Sequence, residues 1–314
     1  MPRLAAPSTS RALSLVAAAL LVGCAAAACS SNAERACVGD TSQAIRVCAG
    51  ATTVRGLDVS AYQSTVDFAK VKGAGREFVV MRVSAGTNVD GRFAANWPNA
   101  KRAGLVRGAY QYFYPSQDVD RQADLVISQL RAAGYTSDDL PPVLDLETRD
   151  GLSAATVVAR AKRWLARVEA ALDVRPMVYT AAFMSGVTGT NFSSYPLWVA
   201  NYGVTCPELP SGWSKWLFWQ DSSTGRIAGV TGDVDTDFFN GSLTELRAFA
   251  RASHLAPRDA GAGDGGGRDA GDGGAPPASD AAAGGAASPI DAGSRAPAPG
   301  AEAGFPPPDP CDPP

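Results

Sequence analysis

The stretch Pro142-Val-Leu-Asp-Leu-Glu147 decides how the rest of the chain is interpreted. Its apolar residues predict a buried β-strand, Val143–Glu147. Because residues i and i+2 of a strand point to the same face, Asp145 and Glu147 should project side by side. Two carboxyl groups this close cannot ionise independently, so the pKa of one of them should rise. A raised pKa is the property that a general acid needs at neutral pH.

Short apolar strands alternate with helical segments on both sides of this stretch. Seven further strands are predicted, at Val54–Val59, Phe78–Val83, Val106–Phe113, Met177–Thr180, Leu197–Tyr202, Trp216–Gln220 and Asp233–Phe238. Helical spacing is predicted between the first five strands, at Asp67–Lys72, Phe93–Ala103, Val119–Ala133 and Ala154–Leu172. This alternation predicts a parallel sheet of the α/β class. Because the later connections are too short or too polar for full helices, we predict an irregular β/α (TIM-like) barrel with fewer helices than strands.

Acidic residues fall at the ends of several predicted strands. Asp58 closes the first strand, Asp145 and Glu147 close the fourth, and Asp235 lies in the eighth. The active sites of such barrels gather at the C-terminal ends of the strands. These four residues are therefore the candidate catalytic group. A divalent-cation site is the main chemical alternative, because hard cations take several oxygen ligands.

The chain has a single histidine, His254, which lies beyond the last predicted segment. A Ser-His-Asp triad, a Cys-His pair or an HExxH zinc site would need a histidine inside the folded part. An enzyme with this composition is expected to work with carboxylates, which suit hydrolytic acid/base chemistry.

The first residues predict export from the cytoplasm. Arg3 and Arg11 precede an apolar run, Ala12–Val22, that is too short to span a bilayer. The run leads into Leu21-Val-Gly-Cys24, which resembles the lipobox of bacterial lipoproteins, so Cys24 is the predicted lipidation site. A lipoprotein-type signal peptide is thus predicted over 1–23, followed by a tether over 24–50. The alternative is a conventional signal peptide cut near Ala28, which would leave a secreted protein.

The other cysteines fit an oxidising compartment, but their pairing cannot be read from the sequence. Cys37 and Cys48 could close a small loop ahead of the domain, and Cys206 lies in a predicted loop. The final segment, 255–314, consists mainly of Ala, Gly, Pro and Asp. Such a composition buries too little apolar surface to offset the entropy of ordering, so a disordered C-terminal tail is predicted.

Charge excludes one class of partner. Residues 51–250 carry 20 basic and 20 acidic side chains with no run of Lys or Arg. A protein that binds nucleic acid would show a basic patch. We therefore expect no nucleic-acid partner, and membrane contact only through the N-terminal lipid.

Seven stretches in residues 54–250 resemble glycoside hydrolase family 25, the muramidases of the Chalaropsis lysozyme type. They occur in the family's order and at similar spacing: Gly56-Leu-Asp-Val-Ser-Ala-Tyr-Gln63, Phe78-Val-Val-Met-Arg-Val-Ser-Ala-Gly86, Gly108-Ala-Tyr-Gln-Tyr-Phe113, Pro142-Val-Leu-Asp-Leu-Glu147, Leu197-Trp-Val-Ala-Asn-Tyr202, Trp219-Gln220 and Gly232-Asp-Val-Asp-Thr-Asp237. The resemblance implies a catalytic domain over 51–254 that cleaves the β-1,4 bond between N-acetylmuramic acid and N-acetylglucosamine in peptidoglycan. It implies no metal and no cofactor, and we expect a monomer.

By position, the resemblance makes Glu147 the general acid. Asp145 would be its partner, which either stabilises the transition state or orients the substrate's acetamido group. Asp58 and Asp235 match two further acidic site residues. Candidate substrate-binding residues are Tyr62, Tyr112, Tyr179, Tyr202 and Gln220, because aromatic rings stack on sugars and hydroxyl groups bond glycan oxygens. The alternatives are a non-catalytic peptidoglycan-binding module and a hydrolase of chitin-like N-acetylglucosamine polymers.

Three positions depart from the family pattern. Gln111 stands where histidine is usual, and it could hydrogen-bond a sugar without carrying charge. Asp237 replaces a common asparagine and should add negative charge near Asp235. Ser64 replaces a frequent glycine. Arg82 could meet a substrate carboxylate or form a structural ion pair.

Overall fold

The computed structural model describes residues 45–254. The predicted signal peptide, Cys24, Cys37, residues 24–44 of the predicted tether and the tail over 255–314 all lie outside the described residues. Among residues 45–254, no helix combines the length and the apolar character needed to cross a membrane.

The described strands are β1 (Ile45–Arg46), β2 (Val54–Val59), β3 (Phe78–Ala85), β4 (Asn88–Val89), β5 (Val106–Tyr112), β6 (Val143–Asp145), β7 (Met177–Ala181), β8 (Leu197–Ala200), β9 (Glu208–Leu209), β10 (Phe218–Gly225) and β11 (Val234–Phe239). The helices are α1 (Phe68–Gly73), α2 (Phe93–Arg102), α3 (Val119–Ala132), α4 (Ala154–Leu172), α5 (Ser185–Thr188) and α6 (Leu243–Ala252). Short 3-10 turns follow β2 at Ala61–Gln63 and β7 at Ala182–Met184.

Eight strands form a closed barrel in the order β2, β3, β5, β6, β7, β8, β10, β11, and β2 closes the ring by pairing with both β3 and β11. The predicted irregular β/α barrel is confirmed. The prediction of a uniformly parallel sheet is wrong for one strand, because β11 runs antiparallel to both β10 and β2. Only eight residues, 226–233, connect β10 to β11, and a parallel crossover needs a dozen or more.

Two apolar layers hold the barrel together. Inside it, Phe78, Val80 and Phe218 belong to one buried cluster. The outward-facing strand residues pack against the helices in a second cluster, which includes Trp97 and Trp164. The alternation of side chains along each strand assigns successive residues to the two layers.

Helix α6 was not predicted from the sequence. Ser242 caps its N-terminus in a reciprocal arrangement with Glu245. Its buried residues Leu246 and Ala250 belong to the interior cluster together with Phe218, the first residue of β10. The helix therefore covers the end of the barrel at which the parallel strands begin.

His254 lies inside the folded part, which corrects the expectation that it lies beyond it. It forms an isolated β-bridge with Val174, just ahead of β7, and its ring stacks on Tyr135 at 5.6 Å between ring centres. This is the end of the barrel where the parallel strands begin, whereas the candidate catalytic carboxyl groups lie where they end.

The last residues of the predicted tether contact the domain. Strand β1 pairs with β9, and the carbonyl oxygen of Val47 accepts a hydrogen bond of 2.7 Å from Trp216 Nε1. Cys48 forms a disulfide with Cys206. The suggested pairing of Cys48 with Cys37 is therefore wrong.

Gly56 makes room for a ring in the barrel interior. A Cβ atom at this position would lie 2.4 Å from the ring of Phe78. We expect Gly56→Ala to lower the free energy of unfolding by about 1–3 kcal/mol, the usual cost of overpacking. Gly91→Ala is the matched control, because its Cβ would have no neighbour within 4 Å. Equal urea midpoints for the two variants would contradict this account of Gly56.

Candidate active site

The carboxyl groups predicted to be catalytic meet at the C-terminal ends of the parallel strands. Asp145 is the last residue of β6, and the amide of Leu146 continues the ladder by donating to the carbonyl of Tyr179 at 2.9 Å. Leu146 points into the outer core, so Asp145 and Glu147 both face the barrel mouth. They line a cavity whose wall consists of Asp58, Tyr110, Asp145, Glu147, Tyr179, Trp198 and Gln220.

Asp235 reaches the same end because its strand runs the other way. It lies near the start of β11 and is the register partner of Asp58 near the end of β2. In an antiparallel pair these two positions meet at one end of the barrel. The reversed strand thus brings a fourth carboxyl group to the site.

Burial dominates the electrostatics of these groups. Burial raises the pKa of Asp58 to about 7, with a further rise from Glu147, while a hydrogen bond from Gln220 opposes it. The pKa of Asp145 lies well above its usual value because of burial and the charges of Glu147 and Asp58. Burial also raises the pKa of Glu147 and of Asp235, to which the charge of Asp58 adds. Burial therefore favours the protonated form of each of these carboxyl groups over a wider pH range than in an exposed Asp or Glu.

Gln220 is the centre of a buried hydrogen-bond network. Its Nε2 donates to Asp58 Oδ2 at 2.7 Å. Its Oε1 accepts from the hydroxyl groups of Tyr179 at 2.6 Å and Tyr202 at 2.7 Å. Gln220 was predicted to bind substrate, but both polar atoms of its amide are already engaged by protein groups.

The remaining predicted tyrosines lie around the mouth. Tyr62 follows β2, with the Arg82 guanidinium 5.3 Å from its ring centre. Tyr112 ends β5 beside Asp145 in register and lies 5.0 Å from Tyr114, ring centre to ring centre. Tyr202 follows β8 and keeps part of its ring exposed.

Comparison with known proteins assigns a family to this arrangement. Residues 57–230 match the family model described as glycosyl hydrolases family 25. The chain belongs to this family. It is an enzyme of the glycoside hydrolase class.

Relatives and solved structures agree with the assignment. The chain is 39% identical to "Lysozyme M1" of Streptomyces globisporus over 63% of this chain and 71% of the relative. It is 32% identical to an N,O-diacetylmuramidase of Chalaropsis sp. over 63% of this chain and 99% of the relative. The crystal structure of a bacterial lysozyme from Streptomyces coelicolor matches with a TM-score of 0.59 at 36% identity, covering 65% of this chain and all of that one.

Two residues of the candidate site were not predicted from the sequence. Tyr110 lines the cavity, and its buried hydroxyl group has no hydrogen-bond partner among the described residues. Trp198 also lines it, and its Nε1 donates to Asp237 Oδ1 at 2.9 Å. The alternation on β5 was the available indication for Tyr110, because it shares a face with Tyr112.

Gln111 points away from the candidate site. Its Nε2 lies 2.6 Å from Ser84 Oγ, and its Oε1 accepts from Trp164 Nε1 at 2.5 Å. The suggestion that Gln111 could bond a sugar is wrong, because alternation along β5 directs it to the helix layer. Arg82 forms a buried ion pair of 2.9 Å with Asp90, which confirms the structural alternative. Among residues 45–254, no three His, Cys, Asp or Glu side chains are grouped to hold a metal ion.

Asp237 lies buried two residues beyond Asp235 on β11 and pairs with Gly56 of β2. Burial raises its pKa well above the usual value, and the charges of Asp58 and Asp235 add to the rise. The extra negative charge expected at this position is therefore suppressed, because the protonated form is favoured.

The raised pKa of Asp237 lowers the stability of the folded domain by an amount that depends on pH. The unfolded chain ionises Asp237 above a pH of about 4, whereas the folded chain resists ionisation, so stability falls as pH rises beyond that value. We expect Asp237→Asn to raise Tm at pH 8 by a few degrees, since about 1 kcal/mol corresponds to roughly 2–4 °C in a domain of this size. The gain should shrink at pH 4. Asp138→Asn, at an exposed position, should show no such trend, and a pH-independent gain in Asp237→Asn would contradict the ionisation account.

Proposed function

We propose that this protein is a peptidoglycan hydrolase that cleaves the β-1,4 bond between N-acetylmuramic acid and N-acetylglucosamine. The observation that carries the proposal is the pair Asp145 and Glu147 in the barrel mouth, with raised pKa values for both. Family membership and relatives named as lysozyme and muramidase support the substrate class.

Glu147 is the proposed general acid. It is less buried than Asp58, Asp145 and Asp235, and so is better placed to reach a glycan in the mouth. Burial raises its pKa, which favours the protonated form over a wider pH range than in an exposed glutamate. It gives this proton to the leaving glycosidic oxygen as the bond to the anomeric carbon breaks, and the resulting carboxylate then takes a proton from the attacking water.

Asp145 is the proposed partner of Glu147. Its Oδ1 is buried and has no hydrogen-bond partner among the described residues. An acetamido N–H of the substrate would satisfy this oxygen and favour the ionised form of Asp145. The nearby charge of Arg82 acts in the same direction by lowering the pKa of Asp145. The ionised carboxylate would orient the acetamido group or stabilise positive charge at the anomeric carbon.

Gln220 is proposed as a positioning residue for this chemistry. The hydroxyl group of Tyr179 lies within reach of both Gln220 Oε1 and Glu147 but has a single proton. Because Gln220 Nε2 donates to Asp58, Gln220 Oε1 stays turned toward Tyr179 and accepts the hydrogen bond from its hydroxyl group. Tyr179 is then left to accept a hydrogen bond from Glu147, which favours the protonated general acid.

We expect Gln220→Met to shift the alkaline limb of the kcat profile to lower pH. Without Gln220 the Tyr179 proton can stabilise the Glu147 carboxylate, and one hydrogen bond to a charged group corresponds to roughly a tenfold loss of rate on that limb. Tyr202→Phe is the control, because it leaves the contacts among Tyr179, Gln220 and Asp58 in place. Identical limbs in the two variants would show that Gln220 does not set the protonation of Glu147.

The proposed bond specificity is tested with bacterial peptidoglycan and the Glu147→Gln variant. The wild-type protein should release products whose new reducing end, after borohydride reduction, is muramic acid by mass spectrometry. Glu147→Gln should abolish turnover and keep glycan binding, because the isosteric amide cannot donate an acid proton. Full activity in Glu147→Gln would contradict the role of Glu147.

The other outcomes separate the alternatives. New reducing ends of glucosamine would favour a hydrolase of N-acetylglucosamine bonds, including chitin-like polymers. Binding without new reducing ends from either protein would favour a non-catalytic peptidoglycan-binding module.

We further propose that the catalytic domain over 51–254 acts outside the cytoplasm. The predicted signal peptide and lipidated Cys24 would hold it at the bacterial cell envelope as a monomer, and cleavage near Ala28 would instead release it.

A further inference from the structure

Exposed apolar side chains are concentrated at the catalytic end of the barrel. Among the described residues the large exposed ones are Ile45, Tyr62, Val89, Phe183 and Tyr202, and Phe183 is the most exposed at 67%. All except Ile45 follow the C-terminal end of a parallel barrel strand. Single exposed apolar residues are ordinary on protein surfaces. Four of them around one barrel mouth form a group of the kind that marks a binding site.

Phe183 and Tyr202 follow the ends of two neighbouring barrel strands. Ala181 of β7 and Ala200 of β8 are register partners in a parallel pair, and the two aromatic residues each lie two positions further along. Neighbouring strands lie about 4.8 Å apart, so the two residues lie on adjacent connections at the same end of the barrel.

Local contacts fix the backbone around Phe183 and the hydroxyl group of Tyr202. Phe183 lies in the turn Ala182–Met184, between buried Ala181 and buried Met184. The Tyr202 hydroxyl group is bonded to Gln220 at 2.7 Å, while 39% of the residue stays exposed. The bonded hydroxyl makes this apolar patch continuous with the network that holds Asp58 and Tyr179. A ligand that contacts Phe183 and Tyr202 therefore lies next to the catalytic cavity that Gln220 lines.

We propose that Phe183 and Tyr202 form a stacking platform for a hexosamine ring of the glycan strand, outside the position where the bond is cleaved. The inference rests on the proposed function. A pyranose ring presents an apolar C–H face to an aromatic ring and polar groups at its edge, which suits a platform with one hydroxyl group. In the eight-stranded ring, β7 and β8 lie opposite β2 and β3. A glycan strand on the platform therefore crosses the mouth past Glu147 toward Tyr62.

Binding is measured in the Glu147→Gln background, so that no substrate is consumed. Co-sedimentation with insoluble peptidoglycan should show an affinity roughly five- to twentyfold lower for Phe183→Ala, and near-normal affinity for Phe183→Trp. Ile45→Ala is the matched control, because Ile45 is 52% exposed on β1, outside the barrel. Unchanged affinity in Phe183→Ala would overturn the proposal.

A second ligand assigns the contact to the sugar. Glycan strands stripped of stem peptides by an amidase should show the same loss with Phe183→Ala. A loss seen only with stem peptides present would mean that Phe183 binds peptide, and the platform proposal would fail. If the wild-type protein produces no new reducing ends but Phe183→Ala still weakens binding to stripped glycan, the hydrolase proposal fails and the platform stands.

Discussion

The hydrogen bond from Gln220 Nε2 to Asp58 Oδ2 fixes the orientation of one buried amide, and the organisation of the mouth follows from that orientation. With its nitrogen directed to a carboxylate, Gln220 presents its oxygen to two tyrosines. Tyr179 and Tyr202 are then fixed in position, one beside Glu147 and the other at the rim. A single side chain on β10 thereby connects buried Asp58 to the exposed edge of the site.

The two ends of the barrel differ in how they use charge. At the end that carries the candidate active site, Arg82 and Asp90 form one buried ion pair, but the neighbouring carboxyl groups are buried beside one another and their ionisation is opposed. At the other end, Arg107 forms a two-pronged buried ion pair with Asp139, at 2.7 and 2.8 Å, and lies 4.2 Å from the ring centre of Trp97. There each buried charge has its counter-charge and hydrogen bonds, as burial requires. This division fits barrels in which one end carries the chemistry and the other supports the fold.

Much of the scaffold could be predicted from the sequence because its layers impose periodicity. Helix α4 begins and ends at the residues predicted from its helical spacing, and all eight barrel strands were found. The direction of β11 was not predictable in this way, because side-chain alternation is the same in parallel and antiparallel strands. Helix α6 was missed although Ser242 and Glu245 carry a recognisable capping box.

The candidate site was predictable at the level of residue types at strand ends, but not at the level of partners. Gln220 could be placed near the cavity, whereas its bonds to Asp58, Tyr179 and Tyr202 join positions 18 to 162 residues apart. Gln111 was misjudged because a single shift along β5 turns a side chain from the mouth to the helices. The disulfide between Cys48 and Cys206 closes 158 residues and leaves no local pattern.

That disulfide also determines how the domain carries a mechanical load. Tension applied to the chain ahead of Ile45 meets the β1–β9 pairing first and then reaches Cys48. From there the load divides between the covalent bond to Cys206 and the backbone leading to β2. Because part of the load passes into the connection between β8 and β10, a pull from the N-terminal side does not act on β2 alone, the strand that closes the barrel and carries Asp58.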